Sequence, residues 1–134
     1  MADRLELELV TPQRRVLSET VDEVRLPGVL GEMGVLPGHT PLLTELGTGA
    51  LAFTLGGREQ RFAIQGGFAE VLPDRVTVLA AVAESPDEID VAAARSALQE
   101  SEAKLGSAEA EEIATLTDEV LLATTRIEVG GGAD

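Results

Sequence analysis

Apolar residues recur at every second position up to about residue 84 and at every third or fourth position after it. The first period belongs to strands with one buried face and the second to helices with an apolar stripe, so the chain must be β first and α second. Leu5, Leu7 and Leu9 alternate with Glu6 and Glu8, and Val24 and Leu26 flank Arg25 in the same way. Leu51, Phe53 and Leu55 alternate up to Gly56-Gly57, which with Arg58 to Ile64 reads as a two-residue hairpin. Gly66-Gly67 then separates that strand from Phe68 to Leu72, and Pro73-Asp74 turns the chain into Val76 to Leu79. Many short strands at this spacing predict an all-β antiparallel sandwich or flattened barrel over residues 1–84.

Ser85-Pro86-Asp87 breaks that pattern, and Asp90 is placed to cap a helix starting at Val91. The stretch from Val91 to Leu105 is rich in helix formers, with Val91, Ala94, Leu98 and Leu105 on one face. Gly106-Ser107 supplies a stop and a new cap for a second helix, from about Ala108 to Ile127, whose stripe is Ile113, Leu116, Val120, Ala123 and Ile127. A short connection between two narrow stripes predicts an antiparallel helical hairpin over residues 85–130, with a frayed tail at 131–134. Its apolar seam is thin, so the hairpin is expected to pack against the sandwich or a partner and to be able to detach.

Composition removes several classes of function. The chain has 134 residues, no cysteine and a net charge of −14, and its only aromatic residues are three phenylalanines. Thiolate chemistry is absent, base stacking has little to work with, and the charge opposes phosphate backbones and anionic lipid alike. Neither nucleic acid nor direct lipid binding is expected. The N-terminus lacks a basic segment followed by an apolar run, and no apolar stretch approaches the roughly 20 residues of a membrane span.

Residues 27 to 44 carry the most specific pattern: Pro27-Gly28-Val29-Leu30-Gly31-Glu32-Met33-Gly34-Val35-Leu36-Pro37-Gly38-His39-Thr40-Pro41-Leu42-Leu43-Thr44. From residue types alone this is a series of tight bends between strands. It resembles the signature of the epsilon subunit of the F-type ATP synthase, in which Gly-Glu-hydrophobic-Gly leads into Pro-Gly-His-x-Pro-Leu-Leu. Gly66-Gly67-Phe68-Ala69-Glu70-Val71, Val76-Thr77-Val78-Leu79-Ala80 and Ile89-Asp90 resemble further parts of that family in the same order.

The resemblance implies a non-catalytic subunit of the central stalk, coupling the gamma subunit to the ring of membrane c-subunits during proton-driven ATP synthesis. It also implies residence at the cytoplasmic face of a bacterial plasma membrane as a peripheral part of the complex. Gly31, Glu32, Met33 and Gly34 match the segment facing the c-ring, with His39, Thr40 and Pro41 in the same interface region. Residue chemistry alone expects less: a solvated loop glutamate at Glu32 and a turn histidine bonded to backbone at His39. A small acid–base enzyme using His39 with Glu32 or Glu45 is the reading of another class, and no nucleophile elbow or aromatic pocket supports it.

In some family members the hairpin regulates hydrolysis by meeting the alpha and beta subunits, or binds ATP through an Ile/Leu-Asp-x-x-Arg-Ala motif and arginines of the second helix. An ATP-sensing module is therefore the alternative function. Carried onto this chain the candidates are Ile89, Asp90, Arg95 and Arg126, but Ala93 stands where the motif has arginine, and Arg95 sits about 200° around the helix from it. From Ser85 onward twelve acids face three bases, a net −9. That charge should repel both ATP phosphates and an acidic partner loop, so no cofactor is expected and the helices read as solvated acidic faces.

Overall fold

The computed structural model describes residues 3–131. Eight strands run in chain order: β1 (Leu5–Val10), β2 (Arg15–Val21), β3 (Glu23–Gly28), β4 (Gly31–Val35), β5 (Leu42–Glu45), β6 (Thr48–Leu55), β7 (Arg58–Leu72) and β8 (Arg75–Glu84). A single 3-10 turn (Pro86–Glu88) leads into α1 (Val91–Leu105) and α2 (Ala110–Gly130). The β-then-α order and the change of period near residue 84 are as the sequence predicts.

The strands hydrogen-bond in the order β2-β1-β8-β7-β6-β3-β4, with β5 added to β7. Every pairing is antiparallel except β1 with β8, which is parallel. Gly56 and Gly57 both take positive φ, 60° and 80°, which closes the β6–β7 hairpin with Leu55 opposite Arg58. Leu72 opposite Arg75 makes Pro73-Asp74 the equally short link from β7 to β8.

Gly66-Gly67 does not end a strand. β7 runs through it for 15 residues, and the two glycines take φ of 67° and 115°. Before this point β7 pairs with β6, after it with β5, while β8 follows along both stretches. The glycines therefore bend one strand so that it serves both layers of the sandwich. At Gly67 a Cβ would run into the Leu79 carbonyl oxygen, so no side chain fits this bend.

The inward positions of the alternating strands supply one continuous core. Leu5, Leu7, Leu9, Val24, Leu26, Leu51, Phe53, Ile64, Val71, Val76 and Val78 are all essentially inaccessible to solvent. Phe53 and Phe62 stack with ring centroids 6.3 Å apart.

Residues 27–44 are also more ordered than a string of bends. Gly31–Val35 forms β4 against β3, and Leu42–Glu45 forms β5 against β7. The two strands span only five and four residues, too few for a period to stand out among the glycines and prolines around them.

In the hairpin, Asp90 caps α1 by accepting from the Ala93 amide at 3.0 Å. The α2 cap is not Ser107. Glu109 precedes the helix, and its amide donates to the Glu112 carboxylate at 3.0 Å. The helix accordingly starts two residues later than expected and continues through Val129 to Gly130, with the Gly131 amide donating to the Ile127 carbonyl. Of the expected α2 stripe, Leu116 and Ala123 are buried but Ile113 is exposed, and buried Thr125 and Val129 had not been expected. Helix α1 packs on α2, and α2 packs on β6 and β7, so the hairpin lies against the sandwich. Of the tail, residues 132–134 lie outside the described residues. Among those described, no helix is long and apolar enough to cross a membrane.

Candidate functional surfaces

Most outward positions of the sandwich are polar, as alternation demands, but one row is not. The registers of β5, β7, β8 and β1 set Glu45 beside Phe68, Phe68 beside Leu79, and Leu79 beside Val10. Phe68 is 53% exposed and Leu79 55% exposed. Leu43, opposite Glu70 in the adjacent row, is 70% exposed. A shallow groove of about 360 Å³, lined by Val10, Thr11, Pro12, Leu79, Ala80 and Ala81, continues the row. Large apolar side chains held side by side in water mark an interaction surface more than scattered single ones do. The signal was present in sequence: Leu79 occupies the solvent phase of Val76-Thr77-Val78-Leu79-Ala80, but a locally apolar run obscures which phase faces out.

A second exposed apolar pair, Val29 and Leu30, forms the tip of the β3–β4 hairpin, with Leu30 wholly exposed. Within β4, Gly31, Glu32 and Gly34 are exposed, whereas Met33 turns inward and packs on the core. Alternation along the strand thus divides the four expected contact residues between two faces.

His39, Thr40 and Pro41 lie in the β4–β5 connection. Its Gly38 amide donates to the Pro73 carbonyl at 2.7 Å, and the His39 amide donates to Leu36. The His39 Nδ1–H donates to the Thr40 carbonyl at 2.6 Å, the backbone-bonded turn role expected of it. β4 is held by β3 and the His39 turn by the β7–β8 link, so the two groups are positioned by different neighbours.

The nucleotide candidates meet at a third place. Ile89, Asp90, Ala93 and Arg126 line a cavity of about 370 Å³ together with Glu84, Glu88, Ala94 and Ala97. Arg95 is not among the lining residues and is exposed on α1. Asp90 is already used as the α1 cap. Arg126 is occupied too: its Nε donates to Glu84 Oε1 at 2.7 Å and its Nη2 to Glu84 Oε2 at 2.9 Å, a two-pronged ion pair. Glu88 accepts from Arg14 at 2.6 Å. The Ser85 amide and hydroxyl, helped by Arg14, hold the Glu88 carboxyl below its ordinary pKa against a smaller opposing effect of desolvation. The cavity is therefore walled by three carboxylates and a guanidinium that already has its anion. Among the described residues, no group of three or more potential ligands is placed to hold a metal ion.

Residues 4–86, more than half of the chain, match the family model for the beta-sandwich domain of the ATP synthase delta/epsilon chain. The ATP synthase epsilon chain of Solibacter usitatus is 47% identical over 130 residues, covering 92% of this chain and 97% of its own. The chain belongs to the ATP synthase epsilon family. The epsilon chain of Geobacter sp. is 45% identical and covers 99% of this chain and 98% of its own, so the relationship extends through the hairpin. A chain in the Euglena gracilis mitochondrial ATP synthase structure, an OSCP/F1/c-ring assembly, superposes with a TM-score of 0.84 at 27% identity, covering 93% of this chain and 80% of that one.

Proposed function

We propose that the chain is a non-catalytic rotor subunit of ATP synthase, coupling the gamma subunit to the c-ring at the cytoplasmic face of a bacterial plasma membrane. The exposed apolar row Phe68, Leu79 and Val10, with Leu43 in the row beside it, is the observation that carries this reading, because an acidic sandwich keeps such a surface only to cover it. In this reading the row docks on an apolar face of gamma. The β3–β4 tip, with Val29 and Leu30 beside Glu32, meets the polar loops of the c-ring, with the His39–Pro41 turn at the edge of the same assembly. The function needs no reactive group. It needs a body that does not shear, and one close-packed core spanning both layers of the sandwich provides that.

Leu79→Asp places a charge in the middle of the row at a position that is exposed in the free chain, so folding should survive. Its affinity for purified gamma should fall about ten-fold or more, as for a central interface anchor. A variant that still copurifies with gamma at wild-type affinity removes this docking surface, and turnover of a substrate by the isolated chain removes the non-catalytic reading.

A further inference from the structure

The hairpin is not part of the main core. Its buried side chains, Ala94, Ser101, Leu116, Ala123, Thr125 and Val129, all lie outside the continuous cluster, which runs from Leu5 to Ala83. Several of them are small or polar, so little apolar burial fixes how the two helices sit on the sheet. Directional polar contacts must then set that orientation. Among the described residues, the one that joins α2 to the sandwich is the fork between Arg126 and Glu84, in which both carboxylate oxygens are used and both side chains are largely shielded, 33% and 26% exposed. Glu84 is the last residue of β8, opposite Ala63 of β7, and is therefore rigidly mounted. Arg126 sits near the end of α2, the helix that packs on β6 and β7.

We infer that Glu84 is a built-in anion for Arg126, a latch that holds the hairpin against the sandwich without any bound ligand. The chemistry of the surrounding cavity agrees. With Glu84, Glu88 and Asp90 on its walls, a phosphate entering it would have to displace a bidentate carboxylate from Arg126 and sit among three like charges. The same contact makes the hairpin releasable, because a partner that takes either member of the pair removes the main directional tie.

The isolated full-length chain tests this independently of assembly into the complex. It has no cysteine, so spin labels can be placed at Arg58→Cys and Ala114→Cys, both exposed, and their separation read by pulsed EPR. The parent should give one narrow distance distribution, unchanged by ATP-Mg. Glu84→Gln and Arg126→Lys should each broaden it and raise the open-to-closed ratio about ten-fold, the scale of a lost charged hydrogen bond with partial screening. The charge-reversed double variant Glu84→Arg/Arg126→Glu should restore much of the narrow component, which a folding defect would not do. Unchanged distances in both single variants, failure of the reversed pair to restore any narrow component, or a shift of the parent on adding ATP-Mg would overturn the latch.

Discussion

At the scale of single residues, backbone freedom at one position matters more than any side chain's chemistry. Gly67 combines a φ of 115° with a carbonyl oxygen where a Cβ would stand, so it can be neither given a side chain nor moved without opening the bend of β7. Gly67→Ala should cost roughly 2 kcal/mol or more, combining strain and steric displacement, read as a lower urea midpoint. A midpoint within error of the parent would mean that β7 does not need this bend. Asp90 is a gentler case. Its carboxylate satisfies one otherwise unpaired amide at the start of α1, and Asp90→Ala should remove about 1 kcal/mol from the hairpin, seen as lost helical ellipticity on warming. The Asp90 cap is readable from residue type and spacing, whereas the glycine pair reads as a break between strands and is a bend within one.

At the scale of elements, the junction between sheet and hairpin is a pH-sensitive piece. Glu88 accepts from the Ser85 amide at 2.9 Å and from Arg14 of the β1–β2 connection at 2.6 Å, and these contacts lower its pKa in the folded chain. A depressed carboxyl pKa contributes stability that is present above the unfolded value, about 4.3, and disappears as pH falls through the lower folded value. Side-chain carbon shifts from NMR titration should therefore place the Glu88 midpoint below its value in the unfolded chain, and Glu88→Gln should flatten the acid limb of hairpin stability. A Glu88 midpoint at or above the ordinary value would contradict this. The capping of α2 shows why element boundaries were the less legible part. Ser107 and Glu109 can both precede a helix, and only the Glu109–Glu112 contact decides between them.

At the scale of the whole molecule, the core and the hairpin are separable. Because the continuous cluster ends at Ala83, a chain of residues 1–84 should fold as an all-β unit, with a cooperative thermal transition and no helical signal. A non-cooperative transition would show that the helices are needed to close the sandwich. The complementary expectation is that hairpin loss leaves gamma binding intact, since the apolar row lies on strands β5, β7, β8 and β1. Binding that depends on residues 85–130 would move the interface.

The order of elements, the alternating core, the β6–β7 hairpin, the α1 cap and the resemblance at residues 27–44 could all be read along the chain, because each depends on neighbours within a few positions. Two things could not. β1 lies parallel to β8 across more than sixty residues of sequence, and Arg126 closes on Glu84 instead of waiting for a phosphate. Each is a meeting of residues far apart in sequence, and local periodicity carries no information about which distant partner a given face will find.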